Sequence, residues 1–137
     1  MAIAHLHRRL AAVARLLLGL VFLVFGLNGF FNFIPPPPAP MPAGAVAFIG
    51  ALVGTGYMLP LLAVTQTIVG GLLLLNRFVP LALALIAPVI VNIVAFHVFL
   101  EPTGIVIAFV VLALEIYLAW AYRAAFRSML ASRATPD

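Results

Sequence analysis

The chain has 137 residues, of which 66% are hydrophobic and 7% charged, with a formal net charge of +4 at pH 7. Soluble domains carry roughly 25% charged residues, so this composition excludes a soluble globule and indicates one domain embedded in lipid. The positive balance comes from seven arginines near the ends of apolar segments, without a basic face or interleaved aromatic residues, and we expect no nucleic-acid binding. Because the chain has no cysteine, disulfides, thiolate metal sites and dithiol redox chemistry are excluded.

Four apolar segments are long enough for a helix to cross the hydrocarbon core of a bilayer, which takes about 20 residues. They cover residues 10–34, 59–75, 81–100 and 105–122. The sequence therefore predicts an all-α, polytopic membrane protein, an up-down bundle of four transmembrane helices that forms a single domain over residues 1–137.

The connection between the first two spans has two parts. Residues 35–44 are rich in proline, which cannot donate main-chain hydrogen bonds and favours an extended path. Residues 45–57 are apolar and glycine-rich but too short to span. We expect this second part to form a short extra helix or a re-entrant segment on the outer side of the bundle.

The arginines orient the predicted bundle. With four spans drawn, all seven fall on one side of the membrane, and the positive-inside rule makes that side the cytoplasm. Both termini are then on the cytoplasmic side. A cleaved signal peptide is the alternative for the first segment, but its apolar stretch exceeds the usual 7–15 residues. The arginines are Arg8, Arg9, Arg15, Arg77, Arg123, Arg127 and Arg133.

Several polar residues fall in the outer half of the predicted bundle, counted at about 1.5 Å per helical residue. Polar groups at such depths usually face the bundle interior, so these residues are candidates for a polar-lined pocket that opens outward. Interhelical hydrogen bonding is the alternative, which the sequence favours for the amides, whereas for the histidine both interpretations stay open. The residues are Asn28, Asn32, Gln66, Asn92 and His97.

Glu115 lies near the midplane of the fourth span, and Arg15 lies at a similar height in the first. An ion pair would spare each group an unpaired charge in lipid, and neighbouring first and fourth helices would permit it. We therefore expect Arg15 and Glu115 to form a structural ion pair. No metal site is predicted, because His97 is the only histidine outside the N-terminal segment.

Three stretches resemble the DoxX-like family of small four-helix membrane proteins of bacteria and archaea, and this resemblance implies the cytoplasmic (inner) membrane of a prokaryote. They are LLLGLVFLVFGLNGF (16–30), TGYMLPLLAVTQTIVGGLLLLNRFVPLAL (55–83) and APVIVNIVAFHVF (87–99). The resemblance extends from about residue 12 to residue 127, and it rests on patterns of small and apolar residues that specify the fold better than any chemistry.

The resemblance also bears on individual residues. Arg15, Gly70, Gly71 and His97 stand where the family's recurrent residues are expected. Gln66 stands where relatives often carry glutamate, which weakens an acid–base role at that position. Relatives accompany quinone-linked redox enzymes, so the resemblance implies an accessory subunit or a quinone- or lipid-binding module, not catalytic alone, with quinone as cofactor and a redox enzyme as partner.

Other functions stay open from the sequence. The bundle is similar to the core of vitamin K epoxide reductase, but without cysteine the thiol mechanism of that enzyme is excluded. A small proton-coupled transporter that uses Glu115 is one alternative, which an ion pair with Arg15 would disfavour. A purely structural assembly protein is another. A homo-oligomer is compatible with either.

Overall fold

Helices follow one another along the chain in the computed structural model, which describes residues 2–133, and no strand occurs within that range. The α-helices are α1 (Ala2–Phe31), α2 (Ala43–Gly54), α3 (Met58–Leu74), α4 (Val79–Phe99) and α5 (Ile105–Ala121). Two short 3₁₀ turns lie at Pro102–Gly104 and Arg123–Phe126.

Three of these helices, α1, α4 and α5 with the 3₁₀ turn before it, are long and apolar enough to cross a membrane. Helix α3 has 17 residues and meets that criterion only together with α2, to which it is bent by 91°. The described residues thus contain three to four candidate spans. By length and composition the chain is an all-helical, multi-pass membrane protein.

The predicted spans agree with α3, α4 and α5 to within two residues at each end. The first differs more, because α1 begins at Ala2 instead of residue 10 and ends at Phe31 instead of residue 34. The apolar segment predicted at 45–57 forms α2, a helix that ends at Gly54.

Two asparagines, Asn28 and Asn32, terminate helix α1. Asn32 adopts a left-handed backbone conformation (φ 49°), which asparagine tolerates better than most residues. Its N–H donates to the main-chain oxygen of Asn28 (2.8 Å), and the Asn28 side-chain oxygen accepts from the N–H of Ile34 (2.7 Å). These bonds satisfy main-chain groups at the point where the proline-rich segment begins.

Helices α1, α3, α4 and α5 form a closed ring. In this ring α1 packs most extensively on α3, and contacts between α3 and α4, α4 and α5, and α5 and α1 complete it. The largest fully buried side chains come from all four helices and fill the centre of the ring. They are Phe22, Leu18, Leu73, Leu83, Ile86, Ile90, Leu118 and Val69.

The backbones of α1 and α3 touch at Gly70. A Cβ atom at this position would lie 2.7 Å from the Cα of Leu23 and 2.8 Å from the main-chain oxygen of Gly19. Small residues allow helices to approach this closely in lipid, where dispersion contacts and hydrogen bonds replace the hydrophobic force. Gly71, one residue further, has open space where its Cβ would be.

Candidate functional site

A cavity of about 260 Å³ lies inside the ring and brings together two of the predicted pocket residues, Gln66 of α3 and His97 of α4. All four helices of the ring contribute to its wall. The remaining lining residues are apolar: Val21, Phe22, Phe25, Ile93, Ile107, Ala108 and Val111. Most ligand sites have this composition, an apolar wall with a few polar groups that orient the ligand.

The imidazole of His97 is held by the connection between α4 and α5. Its Nδ1 lies 2.7 Å from the main-chain oxygen of Glu101 and 3.3 Å from Oε2 of the same residue. A carbonyl oxygen only accepts, so Nδ1 carries a proton and donates. In the neutral ring Nε2 is then an acceptor, and it makes no hydrogen bond within the described residues.

Glu101 also organises the start of α5. Its Oε1 accepts from the N–H of Thr103 (3.3 Å) and from the Thr103 hydroxyl, and its Oε2 accepts from the N–H of Gly104 (3.3 Å). The Thr103 hydroxyl bond, helped by the two main-chain N–H groups and by His97, holds the pKa of the Glu101 carboxyl below its ordinary value, against a smaller opposing effect of burial.

Gly104 packs directly on the ring of His97. A Cβ atom at this position would overlap the imidazole. The ring is therefore fixed from two sides, by the hydrogen bond at Nδ1 and by this close packing.

Gln66 is half-buried, and its side-chain amide takes part in no hydrogen bond within the described residues. The neighbouring threonines of α3 instead bond to their own helix, Thr65 to the oxygen of Leu61 (2.9 Å) and Thr67 to that of Ala63 (2.8 Å). Among these polar side chains of α3, Gln66 is thus the one whose donors and acceptor remain available to a ligand in the cavity.

The other three predicted pocket residues do not line this cavity. Asn28 and Asn32 lie at the end of α1. There the Asn28 side-chain oxygen accepts from the N–H of Ile34, and Asn32 takes the left-handed backbone conformation. Asn92 is exposed on the side of α4 that faces away from the ring, about 200° around the helix from the buried Ile90. Of the five residues predicted to share a pocket, the structure thus brings two, Gln66 and His97, together in one cavity.

Arg15 and Glu115 are both buried, with 9% and 7% of their surfaces exposed, but they do not form the predicted ion pair. The guanidinium Nη1 of Arg15 instead donates to the main-chain oxygen of Leu73 and lies 3.3 Å from that of Leu74. The last carbonyls of α3 lack partners within their helix and carry its partial negative charge, which makes them good acceptors for a cation.

Glu115 faces a different cavity, of about 290 Å³, between α4 and the C-terminal part of the chain. Ala84, Ala87 and Arg123 also line it. The Oε2 atom of Glu115 is buried and has no hydrogen-bonding partner within the described residues.

Glu101, Thr103 and Gly104 were not among the predicted site residues. The run Glu-Pro-Thr-Gly carries a signal for this arrangement, because an acidic side chain before a proline can accept the first free N–H groups of a helix. What the sequence lacks is any sign that His97, one turn earlier, bonds to the same residue.

Comparisons of the chain with family models, with curated proteins and with solved structures find no match. A functional assignment therefore depends on the geometry of the cavities and on the polar groups that line them.

Proposed function

We propose that this protein binds a quinone, or a lipid with a similar polar group, in the cavity between Gln66 and His97. The observation that supports this is the wall itself, two hydrogen-bonding side chains on an otherwise apolar surface. The volume of about 260 Å³ is close to the lower end of the range for small-molecule sites, roughly 300–1,000 Å³. It suits one ring rather than a large cofactor.

The two polar side chains suit the oxygens of such a ring. The amide of Gln66 donates to a quinone carbonyl, and Nε2 of His97 accepts from the hydroxyl of the reduced quinol. With Nδ1 bonded to the Glu101 carbonyl, Nε2 is the acceptor of the neutral His97 ring. Phe22 and Phe25 supply apolar contact to the ring and its tail.

We further propose a DoxX-like role, an accessory subunit of a membrane redox complex that holds quinone near a partner enzyme. Support comes from the sequence resemblance and from a cavity that a quinone ring fits. The chain's own part is to bind and orient the ligand, while the partner supplies the electron transfer.

The proposed topology has four spans with both termini in the cytoplasm of a prokaryotic cell. Helix α3, at about 25 Å for its 17 residues, crosses with little tilt, and α2 lies along the outer surface. Since the chain has no cysteine, single cysteines at Thr55 and Ser128 can be labelled without background. A membrane-impermeant maleimide should react from outside with the first and from the cytoplasm with the second, and labelling of both from the same side contradicts the topology.

Quinone binding is tested with the purified protein and a short-chain ubiquinone. The ligand should raise the melting temperature of the protein, and Gln66→Leu should abolish most of that rise. Asn92→Leu is the matched control, because it makes the same amide-to-leucine change outside the cavity. Equal loss in both variants, or no rise in the natural protein, refutes the proposal.

A second candidate function, proton-coupled transport, is favoured by Glu115. Its carboxylate lines a cavity and has a buried oxygen without a partner among the described residues. It is not paired with Arg15, and such an ion pair was the reason for which a role of Glu115 in proton transport was disfavoured. Reconstituted vesicles with an imposed pH gradient test it. Glu115→Gln should remove gradient-driven substrate uptake, and unchanged uptake rules the transporter out.

A further inference from the structure

A third cavity, of about 320 Å³, lies at the end of the ring opposite to His97. We call it the basic cavity. Its polar lining consists of His7, Arg8, Arg15, Asn76 and Tyr122, and no acidic residue among those that the structure describes lines it. A concave site that combines two guanidinium groups, an imidazole, an amide and a phenol is suited to an oxyanion.

Arg15 is the fixed element of the basic cavity. It is buried, and its Nη1 is held by the last carbonyls of α3. Within the described residues its Nε and Nη2 make no hydrogen bond, so the other edge of the planar guanidinium remains for an anion. This is the edge-on geometry in which arginine binds carboxylate and phosphate oxygens in pairs.

His7 is also held in place. Its ring packs against Tyr117 and Trp120, with centroids 6.0 and 5.2 Å away. Its Nε2 is buried and has no partner within the described residues. An unsatisfied buried nitrogen, on a residue that lines the same cavity as two arginines, indicates a missing hydrogen-bonding partner.

The depth of the basic cavity in the membrane can be counted along α1. At about 1.5 Å per residue, Arg15 lies about 24 Å and Arg8 about 35 Å from the outer end of the helix at Phe31. The hydrocarbon core is about 30 Å thick. Arg8 and His7 therefore lie just beyond the core, at the level of the lipid headgroups, and Arg15 lies a few ångströms inside it.

We propose that the basic cavity binds a phosphate group, and that its depth assigns this phosphate to the headgroup of an anionic membrane lipid. Basic pockets between transmembrane helices on the cytoplasmic side are suited to such lipids. The lipid phosphate lies between Arg8 and the free edge of Arg15, with the amide of Asn76 and the hydroxyl of Tyr122 as further donors. The acyl chains extend along the apolar outer surface.

The experiment is native mass spectrometry of the detergent-solubilised full chain with three separate probes: phosphatidylglycerol, phosphatidylcholine and inorganic phosphate. We expect phosphatidylglycerol to bind at least about tenfold more tightly than phosphatidylcholine. Arg8→Gln should weaken it by about tenfold, the effect of losing one charge-assisted hydrogen bond. Arg9→Gln is the matched control: it removes the same charge one residue away, from a side chain that does not line the cavity.

Each outcome decides the matter. Equal weakening by Arg8→Gln and Arg9→Gln shows that only general surface charge attracts the lipid, which overturns the site. Inorganic phosphate binding as tightly as the lipid overturns the assignment to a headgroup. Asn76→Asp gives an independent reading, because aspartate tolerates the left-handed backbone at this position (φ 55°) and adds a negative charge to the cavity. Unchanged lipid binding in that folded variant also overturns the proposal.

Discussion

Replacing Gly70 with alanine tests the close packing of α1 on α3. The new methyl group would lie 2.7 Å from the Leu23 Cα and 2.8 Å from the Gly19 oxygen, and it would contact the Leu23 nitrogen more closely still. These are main-chain atoms of α1, which cannot rotate away as a side chain can. The two helices must move apart, and the contacts along their whole interface weaken.

The size of the effect is set by two opposing contributions. Overpacking a tight interior costs about 1–3 kcal/mol, and main-chain neighbours place this case at the upper end. Alanine also favours the helix over glycine by about 1 kcal/mol. We therefore expect Gly70→Ala to lower the free energy of unfolding by about 2 kcal/mol.

Gly71→Ala is the matched control. It gains the same helix propensity, but its Cβ enters open space, so this variant should be about 1 kcal/mol more stable than the natural protein. The free energies of unfolding of the two variants should then differ by about 3 kcal/mol near 25 °C, with Gly71→Ala the more stable one.

Equilibrium unfolding in mixed micelles, followed by circular dichroism as the fraction of denaturing detergent rises, measures this difference. Gly70→Ala should unfold at a lower detergent fraction than the natural protein, and Gly71→Ala at a higher one. If Gly70→Ala is as stable as Gly71→Ala, the close approach of α1 and α3 is not a source of stability and the reasoning is wrong.

Three further predictions concern the polar groups. Thr103→Ala should raise the pKa of the Glu101 carboxyl towards its ordinary value, since the largest cause of its lowering is lost. A carboxyl whose pKa is lowered on folding stabilises the fold above its ordinary pKa, and this stabilisation is lost as the pH falls through the lowered pKa. In the variant, the Glu101 side chain should therefore become protonated and release the start of α5 at a higher pH. The chemical shift of the carboxyl carbon, followed through an acid titration, checks this, and an unchanged midpoint contradicts it. The substitutions Arg15→Met and Glu115→Gln should have additive effects on stability, within about 0.5 kcal/mol, because the two groups are not paired; a double variant more stable than the sum of the single ones would indicate an ion pair after all. Gly104→Ala should displace the histidine ring that packs on it. The proposed quinone binding should then weaken by about tenfold, which corresponds to the loss of one hydrogen bond of about 1.4 kcal/mol; an isothermal titration that gives the natural affinity would show that the ring position does not matter.

The helices could be predicted from the sequence because lipid imposes a simple constraint. A segment without water must satisfy its main-chain groups internally, so long apolar runs become helices. Their ends were harder at α1, where the boundary depends on Asn32 taking a left-handed conformation. The polar N-terminal residues before residue 10 continue the helix because no proline or glycine interrupts them.

The site was only half predictable. Depth along a helix can be counted, which placed Gln66 and His97 in the same half of the bundle, but direction around the axis depends on which neighbour each face meets. Asn92 was placed in that half as well, and its side chain is exposed. The expected Arg15–Glu115 pair is not formed for a related reason: charge matching considers side chains alone, whereas the acceptors that Arg15 contacts are the main-chain carbonyls at the end of α3.

The close approach at Gly70 leaves α1 and α3 little freedom to move towards each other. At this point the contact is made by main-chain atoms, which cannot change rotamer as a side chain can. On the other side of the ring, α4 contains Pro88, which removes one hydrogen bond from the interior of that helix. We therefore expect α4 to tolerate displacement more readily than the closely packed pair of α1 and α3.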